Sequence, residues 1–162
     1  MARLHTFAAA VALALAAAPA LADAIKAGDL AIENPWARAT PKGADVGAGY
    51  LVIRNAGAEA DRLTGGSADF ANIEIHEMAM QGGVMKMREL KDGLAIPAHS
   101  VVELAPGRYH VMFVGLRHPL VKGEVAKTTL TFEHAGSVEV DFAIVGVGAA
   151  APKSDNLQGM KM

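Results

Sequence analysis

Val138-Glu139-Val140-Asp141-Phe142-Ala143-Ile144 places a large apolar residue at every even position and a polar or small residue between them. Side chains alternate sides along an extended chain, so this period of two describes a strand with one face in a core and the other in water. Just upstream, Leu130 and Phe132 share one face while Thr129 and Thr131 share the other, and Ala135-Gly136-Ser137 separates the two runs with turn residues. Working toward the N-terminus, the same reading gives strands at His110 to Val114, at Val101 to Leu104, around Ile73 and Ile75, and from Gly47 to Arg54. Asn55-Ala56-Gly57, Gly65-Gly66, Gly82-Gly83, Asp92-Gly93, Pro106-Gly107 and Lys122-Gly123 punctuate them. Many short strands with regular turns indicate an all-β, antiparallel sandwich or barrel. No segment carries a convincing helical period, although Ala68 to Ala71 could form one helical turn. There is no internal repeat and no linker.

The two ends read differently. Arg3, the apolar run from Phe7 to Ala18, and Ala20-Leu21-Ala22 form a secretory signal peptide over residues 1–22, with cleavage after Ala22. The run is shorter than the roughly 20 apolar residues that cross a bilayer, so no stable membrane insertion is expected. One β domain over 23–150 and a flexible, methionine-containing tail over 151–162 complete the chain; residues 146–155 are rich in Gly, Ala and Pro. The 162 residues carry a net charge of −2 with no basic block, which argues against nucleic acid as a partner. Cysteine is absent. That excludes disulfides, blue-copper centres, iron–sulfur clusters and thiol redox chemistry, and leaves methionine as the only soft metal donor.

Methionine placement is the unusual feature. Met78, Met80, Met85, Met87 and Met112 crowd one region, and His76, His99 and His110 fall in or beside it. A lone methionine is more often a flexible core filler than a ligand. Pairing with histidine changes that balance: His76-x-Met78 and His110-x-Met112 each put an imidazole and a thioether on one side of a strand, while Ile73, Ile75, Val111 and Phe113 take the core side. Neutral, soft thioethers with imidazoles select Cu(I) over harder ions; zinc sites use Cys, His and carboxylate instead. Met78, Met80 and Met85 are candidate secondary thioethers, and Met160 and Met162 a possible second, weak copper site on the tail. His99, His118 and His134 read as surface histidines, Arg38, Asp61 and Arg62 as structural, and Trp36 as core or rim. No carboxylate pair and no Ser/His/Asp set suggests catalysis.

Several segments together resemble the periplasmic copper chaperone family PCuAC: Trp36-Ala37-Arg38-Ala39-Thr40-Pro41, Gly47-Ala48-Gly49-Tyr50-Leu51 with Asn55, Asp61-Arg62-Leu63, His76-Glu77-Met78, Gly82-Gly83-Val84-Met85-Lys86-Met87-Arg88, Pro106-Gly107 with His110-Val111-Met112, and Leu130-Thr131-Phe132. The resemblance runs from about Ile32 to Val145. It implies a cupredoxin-like, Greek-key β-sandwich whose copper ligands are His76, Met87, His110 and Met112. The gap between Met87 and His110 is one residue longer than the family pattern, an insertion expected in the Lys91 to Pro106 connection. The family further implies a periplasmic, non-enzymatic carrier delivering Cu(I) to the apo copper-binding subunit of cytochrome c oxidase or to a Sco-type protein. Three other readings compete: a copper electron-transfer protein on the same fold, against whose blue type the lack of cysteine argues; a periplasmic scavenging or resistance protein; and a metal-free exported sandwich used for interaction.

Overall fold

The computed structural model describes residues 24–150; the expected signal peptide and methionine tail lie outside them. Eleven strands and no helix make up the described chain: β1 Ile25–Ala27, β2 Leu30–Arg38, β3 Val46–Asn55, β4 Asp61–Ala68, β5 Ala71–Gln81, β6 Val84–Glu89, β7 Leu94–Ile96, β8 Ser100–Leu104, β9 Tyr109–Val114, β10 Val125–Phe132 and β11 Gly136–Val145. Ala68 to Ala71 is the tight β4–β5 turn rather than a turn of helix. The Lys91 to Pro106 connection holds two short strands, β7 and β8.

The strands close on themselves. β5 pairs β9, β9 pairs β3, β3 pairs β2, β2 pairs β11, β11 pairs β10, β10 pairs β4, and β4 returns to β5. The two faces of the sandwich are thus one continuous ring with no free edge of its own; β1, β6 and β7 hang from it, each paired on one side. Antiparallel pairing dominates; β2–β11 and β8–β9 are the parallel exceptions. β6 lies outside the ring, paired only to the second half of β5.

The alternation read in β11 is what the structure shows. Val140, Phe142 and Ile144 are buried and Glu139 and Asp141 exposed. Phe142 meets Phe113 edge-on at 5.6 Å, and Phe113 meets Phe70 at 5.3 Å, forming the aromatic spine of the core. Each such ring taken out of water contributes about 1.5–3 kcal/mol. The spine explains Gly49: a Cβ there would stand 2.9 Å from Phe142 Cε1 and 3.0 Å from Phe113 Cζ. Asn55, 3 % exposed, ties the β3–β4 loop to the β7–β8 connection through Nδ2 to the carbonyls of Glu59 (2.8 Å) and Pro97 (3.2 Å) and through Oδ1 to the amide of Gly57 (2.9 Å). Asp61 accepts from the amides of His134 and Ala135, fixing the β10–β11 turn, and Arg62 pairs with Glu133 at 3.6 Å. Both residues are structural, as their sequence context implies.

Candidate metal centre

Residues that alternate out of the core on β5, β9 and β3 gather on one outer face. His76 stands opposite His110 across the β5–β9 pair, and Glu74 stands opposite Met112. Val111 and Phe113 are fully buried on the other side, so period two turns His110 and Met112 outward together. Outward is not exposed here: His110 is 6 % and Met112 8 % accessible, because the β5–β6 hairpin and β3 wall them in.

The hairpin supplies the third donor. Gly82 and Gly83 have φ of 57° and 79°, the pair of positive values that a two-residue I′ turn requires. The turn sets Gln81 opposite Val84, and counting back along both strands sets Met78 opposite Met87. Met87 Sδ then lies 3.3 Å from His110 Nε2. Met78, Met87, His110 and Met112 line one open depression whose rim is Arg38, Thr40, Tyr50 and Gly107 among others.

His76 sits beside that depression rather than in its lining. Its ring centroid is 5.7 Å from that of His110, tilted by 45°. Its Nε2 is 2.7 Å from Glu74 Oε2, and its Nδ1 is buried with no hydrogen-bond partner. A buried nitrogen left without a partner costs free energy unless something else occupies its lone pair. With Nε2–H donating to the carboxylate, Nδ1 is the nitrogen that carries that lone pair.

Electrostatics favour neutral donors. Burial holds the pKa of His110 below the usual imidazole value; the nearby His76 adds to the lowering and the Arg108 carbonyl opposes it. His110 therefore stays uncharged, with a free lone pair, further into acid than an ordinary histidine. No cluster of three His, Asp or Glu residues able to hold a metal exists among the described residues. The donors lining the depression are one imidazole, of His110, and the thioethers of Met78, Met87 and Met112, a set that suits a soft cation.

Of the four expected ligands, Met87, His110 and Met112 come together directly, and His76 is on the adjoining rung. Met78 joins the lining; Met80 and Met85 form the next rung outward. His99, His118 and His134 are exposed and none lines the depression. Met160 and Met162 lie outside the described residues. Glu74 and the placing of Tyr50 and Arg38 beside the site escaped the sequence reading, which took Arg38 as structural and Trp36 as core or rim. Glu74 could have been found from its i, i+2 spacing to His76. Trp36 and Tyr50 are partners across β2 and β3 with ring centroids 4.5 Å apart, and the Arg38 guanidinium lies 6.0 and 5.8 Å from them. Tyr50 and Arg38 wall the site with Trp36 buried behind them, so Arg38 serves it as well as anchoring the Ala149 carbonyl. Burial raises the Tyr50 phenol pKa, with Arg38 pulling the other way, so the wall adds no anion.

Comparison with known proteins agrees with this picture. Residues 30–144 match the family described as "Putative lipoprotein LpqE-like". A protein of Leifsonia xyli subsp. xyli named "Putative lipoprotein Lxx21020" is 31% identical over 110 residues, and the match spans 67% of this chain but only 65% of that protein's length. Among solved structures, a copper-bound PCuAC domain from PmoF2 is 32% identical with a TM-score of 0.64, covering 76% of this chain and 97% of that domain. The apo form of the PmoF2 domain gives 28% and 0.67, over 80% of this chain and 99% of its own. DR1885 of Deinococcus radiodurans, solved with Cu(I), is 24% identical with a TM-score of 0.58 over 78% of this chain and 83% of its own, and shares the fold. Both the family match over most of the β domain and the PmoF2 likeness point the same way: the chain belongs to the LpqE-like family and to the PCuAC domains.

Proposed function

We propose that the chain binds one Cu(I) through Met87, His110, Met112 and His76 and carries it across the periplasm without catalysing a reaction. The observation that carries this reading is the 3.3 Å approach of Met87 Sδ to His110 Nε2. Two donors on one tetrahedral ion, with bond lengths of about 2.0–2.1 Å to nitrogen and about 2.3 Å to sulfur as in zinc sites, stand about 3.5 Å apart. The pair is therefore already close to a chelating separation. Met112 on the same face and the unpartnered His76 Nδ1 supply the remaining donors. The copper in the PmoF2 PCuAC domain supports copper as the cargo.

Release follows from the shape of the site. Met87 is 49 % exposed at the rim while His110 and Met112 form the floor, so an incoming ligand can displace the thioether before the imidazoles let go. Thiolate donors bind Cu(I) more tightly than thioethers. The acceptor in this reading is a thiolate-bearing copper protein, the apo copper-binding subunit of cytochrome c oxidase or a Sco-type protein, and the apolar leader exports the carrier to meet it.

The test is anaerobic Cu(I) titration of leaderless protein with X-ray absorption at the copper edge. One tightly held equivalent with mixed nitrogen and sulfur neighbours is expected, sharply weakened by Met87→Ala or His110→Ala and untouched by His118→Ala. An all-nitrogen and oxygen shell, or equal harm from His118→Ala, would overturn the ligand set. Copper that stays on the protein in the presence of every thiolate acceptor would make it a scavenger instead.

A further inference from the structure

We propose that Met80 and Met85 form a second, outer site for a soft monovalent cation, in series with the inner one, so that copper enters and leaves along a ladder of thioethers. The proposal rests on the Cu(I) reading above and adds the path by which the ion reaches that site. The β5–β6 hairpin stacks the cross-strand pairs His76–Glu89, Met78–Met87 and Met80–Met85 on one face. The residues between them, Glu77 with Arg88 and Ala79 with Lys86, point to the opposite face, where Glu77 and Arg88 form an ion pair. On the hairpin itself charge is thus segregated from the outer two rungs, which carry thioethers alone; Arg38 of β2 lines the same depression as Met78 and Met87.

Register brings the sulfurs close. In a two-residue hairpin the pair flanking the turn, here Gln81–Val84, is hydrogen-bonded. The Met80–Met85 and Met78–Met87 pairs then fall in the non-hydrogen-bonded rungs, where facing Cα atoms are only about 4.5 Å apart and side chains closest. The amide of Met78 agrees, donating away from β6 to the Arg108 carbonyl at 3.0 Å. Successive same-face rungs are about 7 Å apart along the strand. Two flexible thioethers per rung span that gap, and the inner rung already touches His110.

Packing does not explain the outer pair. Met80 is 62 % and Met85 47 % exposed, and the residues enriched in strands are β-branched and aromatic ones, not methionine. β5 pairs β9 only as far as Glu77, so the outer rungs project past the ring into water, where a donor ligand can reach them. Transfer along the ladder is ligand exchange: one thioether lone pair replaces another on a cation that stays monovalent, and no proton or electron moves. Two thioethers hold the ion more weakly than the inner site does, so the outer pair fills second.

The test uses the full leaderless chain with methyl-13C methionine, titrated anaerobically with Ag(I) as the probe. Met87 and Met112 methyl resonances are expected to move up to one equivalent, and those of Met80 and Met85 between one and two. Met80→Leu with Met85→Leu should abolish the second phase, keep the first, and slow passage of the ion to a thiol acceptor. Met80 and Met85 resonances that stay fixed while Met87 and Met112 move would overturn the outer site and leave the carrier reading standing. Movement of all four with the first equivalent would make them ligands of one site and overturn the series arrangement. No movement of any of the four would overturn both.

Discussion

Removing the Glu74 carboxylate tests whether the second histidine is a ligand held in place by its neighbour. Glu74 Oε2 is 2.7 Å from His76 Nε2, on an imidazole whose side chain is only 12 % exposed. Outer partners of ligating histidines fix the tautomer and orientation, and losing one costs about 10–100-fold in metal affinity, or about 1.4–2.7 kcal/mol. Water has little access to the buried imidazole, so Glu74→Ala leaves Nε2–H poorly solvated and belongs toward the upper part of that range. The carboxylate itself is 35 % exposed, which screens its direct attraction for the cation; Glu74→Gln, keeping an acceptor without charge, should therefore fall between wild type and alanine. Affinity is read by anaerobic competition for Cu(I) against a chromophoric chelator, and the tautomer by long-range 1H–15N spectra of the apo imidazoles. Thermal unfolding separates this effect from a general loss of structure: an unsatisfied buried N–H costs about 1–3 kcal/mol, so Glu74→Ala should melt lower than wild type but still cooperatively, and Glu74→Gln close to it. Wild-type affinity in Glu74→Ala, or a His76 proton residing on Nδ1, would refute the reasoning.

His110 should make the metal-free protein acid-sensitive. Its folded pKa is lowered, chiefly by burial, so the unfolded chain binds the extra proton first. Apo stability should fall as pH drops through the unfolded value of about 6.5 and level off below the folded value; denaturant melts of wild type and His110→Gln check this, the variant showing a flatter profile. Asp61 has the opposite sign. Burial would raise its carboxyl, but hydrogen bonds from the amides of His134, Arg62 and Ala135 outweigh that and hold it below the usual range. Its contribution is present above the unfolded pKa of about 3.9 and lost as pH falls through the folded one, so Asp61→Asn should lose about 1 kcal/mol at neutral pH and converge on wild type in acid. Gly49→Ala, which drives a methyl into Phe142 and Phe113, should lose about 1–3 kcal/mol in the same melts.

The limits of the sequence reading follow from where its signals come from. Alternation is a local property, so β10, β11 and the core side of β5 and β9 are legible from a few residues each, down to the burial of Val111 and Phe113 beside His110 and Met112. Strand partners are not local: nothing in the period-two pattern of β4 says that it returns to β5 and closes the ring, or that His76 faces His110. β6 alternates Met85 and Met87 with Lys86 and Arg88, but all six of its residues are exposed, so the alternation marks no core face. Its place rests on turn chemistry. A two-residue Gly82-Gly83 turn forces residue 81 opposite 84, hence 80 opposite 85 and 78 opposite 87, so the thioether pairs are readable once that turn is taken as a register and not merely as a break. The long-range β5–β9 pairing then converts two separate His-x-Met strands into one face, and brings in Glu74 with it. A donor set assembled from three strands across long sequence gaps needs a rigid ring to hold its floor and a projecting hairpin to bring its exposed sulfur. Those two demands account for a site whose buried imidazole, His110, belongs to the ring while Met87, the thioether at its rim, does not.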